Sequence, residues 1–408
     1  MIHLEAIAFN HDPTAATHDA FNLRRSATAW VTVPEWRRGT SVVPEDSPAA
    51  YARAQVTGHR VTIKAEFSCT DPSIADVEVR AKDNFVSPPG PPGCFGWLIA
   101  LIRAILRALF GNVLGKVQAR PVAFINGQSG LVEFTLVNTK LSRAPIGPHT
   151  TEWRWQFRRP ARKKWHDLTV TRHRIYLVLD IPTAPWQQTP YQPANIQLPW
   201  TSVLDYACQW ALGTTNAIDA AGGVTRGVNN LGPNIVTYDC PGGGNSWYSA
   251  GAFDCTAFID RLKGGLGDGY YVNCSDCATF VSTFANILGC DLWQSRMGSG
   301  FFHLNPILGI GSNTWQPACH GIDGWADGFG YHEVAWTGAC GANDNVFDAC
   351  LHVDGDADPT AAPHTAQLPV NVLFGNPGDM QYRDRLTIPA DLANCSPLPG
   401  TRQRRAVG

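Results

Sequence analysis

The hydrophobic period changes once along this chain, and prolines mark the change. Up to about residue 180 apolar residues recur at every second position; past Pro182-Thr183-Ala184-Pro185-Trp186, followed by Pro190 and Pro193, they recur at every third and fourth. A period of two describes half-buried strands and a period near 3.6 describes amphipathic helices, so the chain carries two layer architectures and must divide where the period switches. The boundary falls near 185: a first domain over 1–185, a second over 186–395, and a loose basic tail over 396–408. With 408 residues, 44% of them apolar, each part is long enough to bury its own core.

In the first part Val61, Ile63, Ala65 and Phe67 alternate with Thr62, Lys64 and Glu66, and the same alternation recurs in Val132–Leu136 and Trp153–Phe157. Leu168–Leu179 begins with alternation and ends in Ile175-Tyr176-Leu177-Val178-Leu179, the unbroken apolar run of a central strand. Strands separated by turn residues predict an antiparallel β-sandwich, an immunoglobulin-like topology being one form it can take. One apolar helical insertion interrupts it, at about 93–115. Within it Phe95–Phe110 has strong helix formers and no internal breaker, with Arg103 and Arg107 on one face. Such a helix either covers one end of the sandwich or docks on a protein partner or a membrane surface.

The second part predicts an α+β domain. Val203, Leu204, Ala207, Cys208, Trp210 and Ala211 give a helix after Thr201-Ser202; a second helix runs from about Phe253 to Lys263, and a third from about Ser275 to Leu288, stopped by Gly289. Two strands follow, Glu333–Thr337 and Val346–His352, joined by Gly341-Ala342-Asn343-Asp344.

Composition removes several functions. A formal net charge of -2 offers no field to attract a polyanion, so no nucleic acid is expected as partner. No stretch reaches the ~18 unbroken apolar residues of a membrane span, and Met1-Ile2-His3-Leu4-Glu5 lacks the basic and apolar regions of a secretory signal. The expectation is a cytoplasmic protein, with export by a signal-independent route left open, whose 12 cysteines are mostly thiols.

One cysteine stands out by position. Cys274 begins the third helix, where unpaired backbone N–H groups and the positive end of the helix dipole stabilise a thiolate and can hold an oxyanion. A thiolate nucleophile needs a histidine to manage its proton and a third group to orient the ring. The hairpin supplies both, since His332 and Asp348 are symmetric about position 340. Asn273 and Trp247 are candidates for the oxyanion hole or the cleft.

At these residues the sequence resembles the transglutaminase-like superfamily, a branch of the papain-like fold with a Cys-His-Asp triad. Cys274-Ser275-Asp276-Cys277-Ala278 is similar to that family's start of the core helix, Leu288-Gly289 to its end, His332–Trp336 to the histidine strand and Val346-Phe347-Asp348 to the aspartate strand; the likeness spans about 200–355. The chain has Val272 where the family usually has glycine and Ala349 where it often has proline. The resemblance implies a thiol enzyme acting on a protein or peptide substrate without a cofactor: a cysteine protease or amidase, with transglutamination or glutamine deamidation by the same triad as the runner-up. A catalytically idle binding or assembly protein, docking through Phe95–Phe110, is the alternative of another class.

Competing signals exist. Cys274 and Cys277 form a Cys-x-x-Cys pair that could hold zinc with Cys319-His320, Cys340 or Cys350, but no tight second pair occurs. Cys255, Cys277 and Cys290 read as small core residues. Asp354-Gly355-Asp356-Ala357-Asp358 imitates the start of a calcium loop, lacks its glycine and glutamate, and reads as an acidic turn. The basic run Arg158–Lys164 reads as a solvated hairpin tip.

Overall fold

The computed structural model describes residues 1–12, 19–40, 43–84, 112–160, 162–186, 197–239, 246–315 and 328–408. The helix expected over Phe95–Phe110, the pair Cys319-His320 and the glycine run 242–244 lie outside the described residues. The described chain forms two compact units, one within Met1–Ile181 and Gln188–Thr201, the other within Pro182–Gln187 and Ser202–Gly408.

The first unit contains β1 (Ile2–Ala8), β2 (Trp36–Arg37), β3 (Ala49–Ala52), a helical turn α1 (Arg53–Val56), β4 (Thr62–Cys69), β5 (Asp76–Asp83), β6 (Lys116–Ala123), β7 (Gln128–Val137), β8 (Gly147–Arg158) and β9 (His166–Val178). The alternating positions are the buried ones: Ile63, Ala65 and Phe67 on β4 and Trp153 and Trp155 on β8 are inaccessible, while Lys64 and Arg154 between them are not. The nine strands follow one hydrogen-bonded order, β2-β1-β4-β7-β6-β5-β8-β9-β3, in which only β3 and β9 run parallel. This is a single curled sheet. Its halves are joined by just two residue pairs, Lys116 with Val137 and Val117 with Leu136. The curl brings strands that are distant in that order onto one core, with Phe67 and Trp155 ring centroids 5.9 Å apart and Phe9 and Trp153 also 5.9 Å apart.

In the second unit the helices are α2 (Thr201–Trp210), α3 (Ala217–Asn229), α4 (Cys255–Leu262), α5 (Cys274–Asn286) and α6 (Tyr382–Leu386). A short parallel pair, β10 (Thr237–Tyr238) with β11 (Tyr271–Val272), leads into α5. The remaining strands are β12 (Trp293–Met297), β13 (Phe302–His303), β14 (Ile307–Gly309), β15 (Gly328–Phe329), β16 (His332–Trp336), β17 (Asn345–Phe347), β18 (Leu351–Asp354), β19 (Ala366–Gln367), β20 (Val370–Leu373) and β21 (Pro397–Gln403). The antiparallel order β20-β17-β16-β12-β21 puts the histidine-bearing strand at the centre. Against it lies α5, every residue of which is buried.

Two expectations change, and one helix has no counterpart in the sequence reading. That helix, α3, carries Gly222, Gly223 and Gly227. The structure explains them: a Cβ on Gly227 would lie 2.2 Å from Trp210 Cγ and one on Gly223 would lie 2.6 Å from the Trp210 carbonyl, so glycine permits the close approach of α2. The segment 182–186, expected as a linker, is docked on α5, where Trp186 Nε1 donates to the Thr283 carbonyl at 2.9 Å and Thr183 N to that of Asn286 at 3.0 Å. The tail 396–408, expected to be loose, supplies β21 to the sheet and buries Arg405 and Val407.

Candidate active site

The N-terminus of α5 is built before any reactive group is considered. Asn273 caps it, accepting from Asp276 N at 3.0 Å, while the Asp276 carboxylate accepts from Asn273 N at 3.1 Å, a complete capping box. The same carboxylate also takes Trp247 N and Tyr248 N, both at 3.0 Å, and Ser249 Oγ at 2.7 Å. Burial raises the Asp276 pKa in spite of these donors. The box leaves the N–H groups of Cys274 and Ser275, at the first two helical positions, without an intrahelical acceptor.

Cys274 stands at this point, 5% exposed. His332 opens β16 and Asp348 follows β17, at 0% and 1% exposure. The pair Ala335–Phe347 sets the hairpin register, and continuing it would put Asp348 across from Val334. The offset of two residues from His332 keeps both side chains on one face, because strand faces repeat every two residues. His332 Nε2 and Asp348 Oδ2 are 3.0 Å apart. Asp348 Oδ2 also accepts from Tyr382 Oη at 2.8 Å, and Oδ1 from Cys350 N at 2.8 Å and Leu351 N at 3.3 Å. The imidazole stacks on Phe329 with centroids 5.2 Å apart and planes at 10°. Its other nitrogen, Nδ1, is buried with no partner at hydrogen-bond geometry, and the thiol acting on the ring is that of Cys274. Burial works to lower the pKa of His332, but the Asp348 charge and hydrogen bond, with Cys274, outweigh it and push it up to about 10. The structure thus pairs His332 with Asp348 and sets His332 on the strand packed against the helix that Cys274 begins.

The other two candidates have different work. Asn273 is fully buried as the helix cap, its amide spent on Asp276 N and on Ser246 Oγ at 3.3 Å. Trp247 is a rim residue, 40% exposed, whose indole N–H donates to Asp239 Oδ2 at 3.3 Å. In place of these side chains, the backbone N–H groups of Cys274 and Ser275 are the donors available to an oxyanion.

Sequence reasoning missed a second set of residues. Ser275 Oγ donates to Glu333 Oε2 at 2.6 Å, and Arg405 donates to both Glu333 oxygens at 2.7 and 3.1 Å. Arg405 Nη1 also reaches Gln294 Oε1 at 2.6 Å and Thr279 Oγ1 at 3.1 Å. Burial would raise the Glu333 carboxyl, but the Arg405 and Ser275 bonds hold it below the usual range. The alternation of β16 could have flagged Glu333 as an acid in a strand whose neighbours are apolar; nothing local marks Arg405 or Tyr382.

Among the described residues no group of three or more His, Cys, Asp or Glu side chains is placed to hold a metal ion, and Cys255, Cys277 and Cys290 are buried thiols. Cys277 lies beside Cys350, whereas Cys340 lies beside Ser295. Asp354 spends its carboxylate on Asp356 N at 3.1 Å, Thr365 N at 2.9 Å and His364 Nδ1 at 2.7 Å, closing a turn. Among the described residues no helix is long and apolar enough to cross a membrane.

No protein-family model matches the sequence. No curated protein matches it either. Among solved structures, the chain is similar to a transglutaminase from red sea bream, with a TM-score of 0.34 and 11% identity over 77% of this chain and 50% of that one. The chain spans about half the length of that protein.

Proposed function

We propose that the second unit is a thiol-dependent amide hydrolase of transglutaminase-like type. The observation that carries this reading is the buried His332–Asp348 pair, 3.0 Å between Nε2 and Oδ2, on a strand packed against the helix that Cys274 begins. In the proposed reaction the Cys274 sulfur attacks the carbonyl carbon of a peptide or side-chain amide. The oxygen takes up negative charge facing the N–H groups of Cys274 and Ser275, and His332 Nδ1 delivers its proton to the departing amine. Water, deprotonated by the same nitrogen, then cleaves the thioester and restores the thiol. Asp348, itself held by the Tyr382 hydroxyl, holds the ring by its far nitrogen, and a ring with a raised pKa keeps the proton available to the leaving group.

The runner-up replaces water by an amine on the same thioester, which makes the product a crosslink. The proposed substrate is a protein or peptide, in a cytoplasmic setting. The first unit fits this reading as a partner-presenting module. Its order β1-β4-β7 on one half and β5-β8-β9 on the other, with β6 pairing to both sides, supports an immunoglobulin-like sandwich closed along one edge.

The test is alkylation followed by product analysis. Iodoacetamide at neutral pH labels Cys274 ahead of the other thiols, and Cys274→Ala removes turnover of a peptide amide; uniform labelling, or turnover that survives the substitution, sinks the reading. Fragments identify a hydrolase and crosslinked species a transglutaminase.

A further inference from the structure

Three segments of the first unit that are remote in sequence close around one cavity of about 570 Å³. Met1 and Ile2 come from the start of β1, Asp71 and Ile74 from the loop between β4 and β5, and Phe157, Arg159, Arg162, Lys164 and His166 from the tip of the β8–β9 hairpin. The volume falls in the range of sites for small ligands, about 300–1,000 Å³. The lining divides by chemistry. Ile2, Ile74 and Phe157 are apolar, Phe157 lying against the His166 ring at 5.5 Å, while Arg159, Arg162 and Lys164 are cationic.

The charge in this cavity is only partly compensated, three cations facing one acid. Its one acid, Asp71, is already committed to its own turn, accepting from Ser73 N at 3.0 Å and Ser73 Oγ at 2.6 Å, and meets Arg159 only at 3.7 Å. Among the described residues Arg162 and Lys164 form no ion pair. Elsewhere on the same strands the cations are paired: Arg158 with Glu78 at 2.5 Å, Arg154 with Asp167 at 3.5 Å and Arg172 with Glu152 at 3.9 Å. A solvated hairpin tip accounts for basic residues, but not for three of them turned onto an apolar-floored cavity assembled from two other segments.

We propose that this cavity binds a small amphipathic anion, a carboxylate or phosphate ester carrying an alkyl or aryl tail. The tail occupies the floor of Ile2, Ile74 and Phe157, and the head group accepts from Arg159 and Arg162, whose planar forks suit carboxylate and phosphate oxygens, with Lys164 as a point charge. The apolar floor and the overall net charge of -2 favour a small anion over a nucleic acid, which would need an extended basic track. The site is independent of the thiol chemistry proposed for the second unit.

The experiment titrates the full chain with 1-anilinonaphthalene-8-sulfonate, an amphipathic anion that fluoresces when its ring leaves water. One saturable equivalent is expected, and the double variant Arg162→Glu/Lys164→Glu weakens it by about tenfold or more, as expected for loss of charge-assisted bonds. The control Lys82→Glu/Lys116→Glu makes the same change in net charge outside the cavity and retains binding. Near-ultraviolet circular dichroism confirms that each variant is folded. Absent or non-saturating binding in the wild type, or equal weakening by both double variants, overturns the proposal. Competition by dodecyl phosphate and by N-acetylphenylalanine, with neutral N-acetylphenylalaninamide as the silent control, distinguishes a lipid-derived phosphate from an amino-acid carboxylate. Displacement by the neutral amide as effective as by its acid also overturns it.

Discussion

Ser275 Oγ donates to Glu333 Oε2 at 2.6 Å, so the residue after the proposed nucleophile is tied directly to the residue after the proposed base. Helix α5 and strand β16 are thereby fixed in register with one another at the site itself. Arg405, from the end of the chain, neutralises the carboxylate that makes the tie. Because the acid is buried, removing Arg405 leaves it with only the more distant Arg296 guanidinium, 3.7 Å away, as counter-ion.

Arg405→Met is therefore expected to destabilise the second unit by about 3–5 kcal/mol, with Arg405→Met/Glu333→Leu recovering part of that loss because both charges leave together. Urea unfolding of the full chain measures both. A loss below about 1 kcal/mol for the single variant would show that the ion pair is not what holds the C-terminal segment in place.

The triad makes separate predictions for its members. His332→Ala lowers amide turnover by about 10²–10⁴, the usual contribution of a positioned acid-base group. Tyr382→Phe removes one of two hydrogen bonds to Asp348 Oδ2, costs about 1 kcal/mol, and leaves most of the turnover, since His332 remains bonded. Equal losses for the two variants would mean that the phenol has more than a supporting part.

His332 also predicts a pH dependence. Its folded pKa of about 10 lies above the ordinary 6.5, so the folded state holds the proton more tightly. The stabilisation is fully present below pH 6.5 and is lost as the pH rises toward 10. The stability difference between wild type and His332→Gln, measured by urea unfolding from pH 6 to 10, should shrink steadily; a difference that grows with pH contradicts the assignment of the proton to the ring.

In the first unit two buried groups oppose one another. Burial drives His173 down to about 3, so its unfolded form takes up a proton between pH 3 and 6.5 and stability rises with pH there. Burial drives Glu35 up to about 7 despite backbone N–H bonds from Asn10 and Phe9, so its folded form keeps a proton from pH 4.5 to 7 and stability falls with pH there. The two slopes offset between pH 4.5 and 6.5. Glu35→Gln should unmask the His173 slope in that window, seen as a melting temperature that climbs more steeply with pH than in the wild type; parallel profiles would refute it.

Gly227→Ala tests why α3 was invisible to pattern reading. A methyl group 2.2 Å from the Trp210 ring is expected to cost about 1–3 kcal/mol, and Trp210→Leu should remove much of that added cost when combined with it. Additive losses would place the strain elsewhere.

Much of the architecture is local and was therefore legible. Alternation marked Ile63, Ala65 and Phe67 as one face of a strand, and those residues are buried. Helix α5 was found to within two residues because Gly289 stops it and the residues before it carry no breaker. The nucleophile candidate followed from its place at that helix start. The hairpin turn brought His332 and Asp348 onto one face even though the register lies two residues from the symmetric one.

What escaped depends on contacts between distant segments. Tyr382, 34 positions from Asp348, and Arg405, 72 positions from Glu333, carry no local signal, because a side chain's partner is set by packing and not by its neighbours in the chain. The glycines of α3 owe their place to Trp210, which leaves no room for a Cβ at Gly227. By itself the sequence determined the strands over 61–67, 132–136, 153–157 and 168–179 and the helix that Cys274 begins, since those follow from side-chain period and helix punctuation. Only the tertiary structure decided that the strands curl into one sheet, that the chain end closes the second unit, and which buried groups share protons, because these rest on desolvation and on charges brought close by folding.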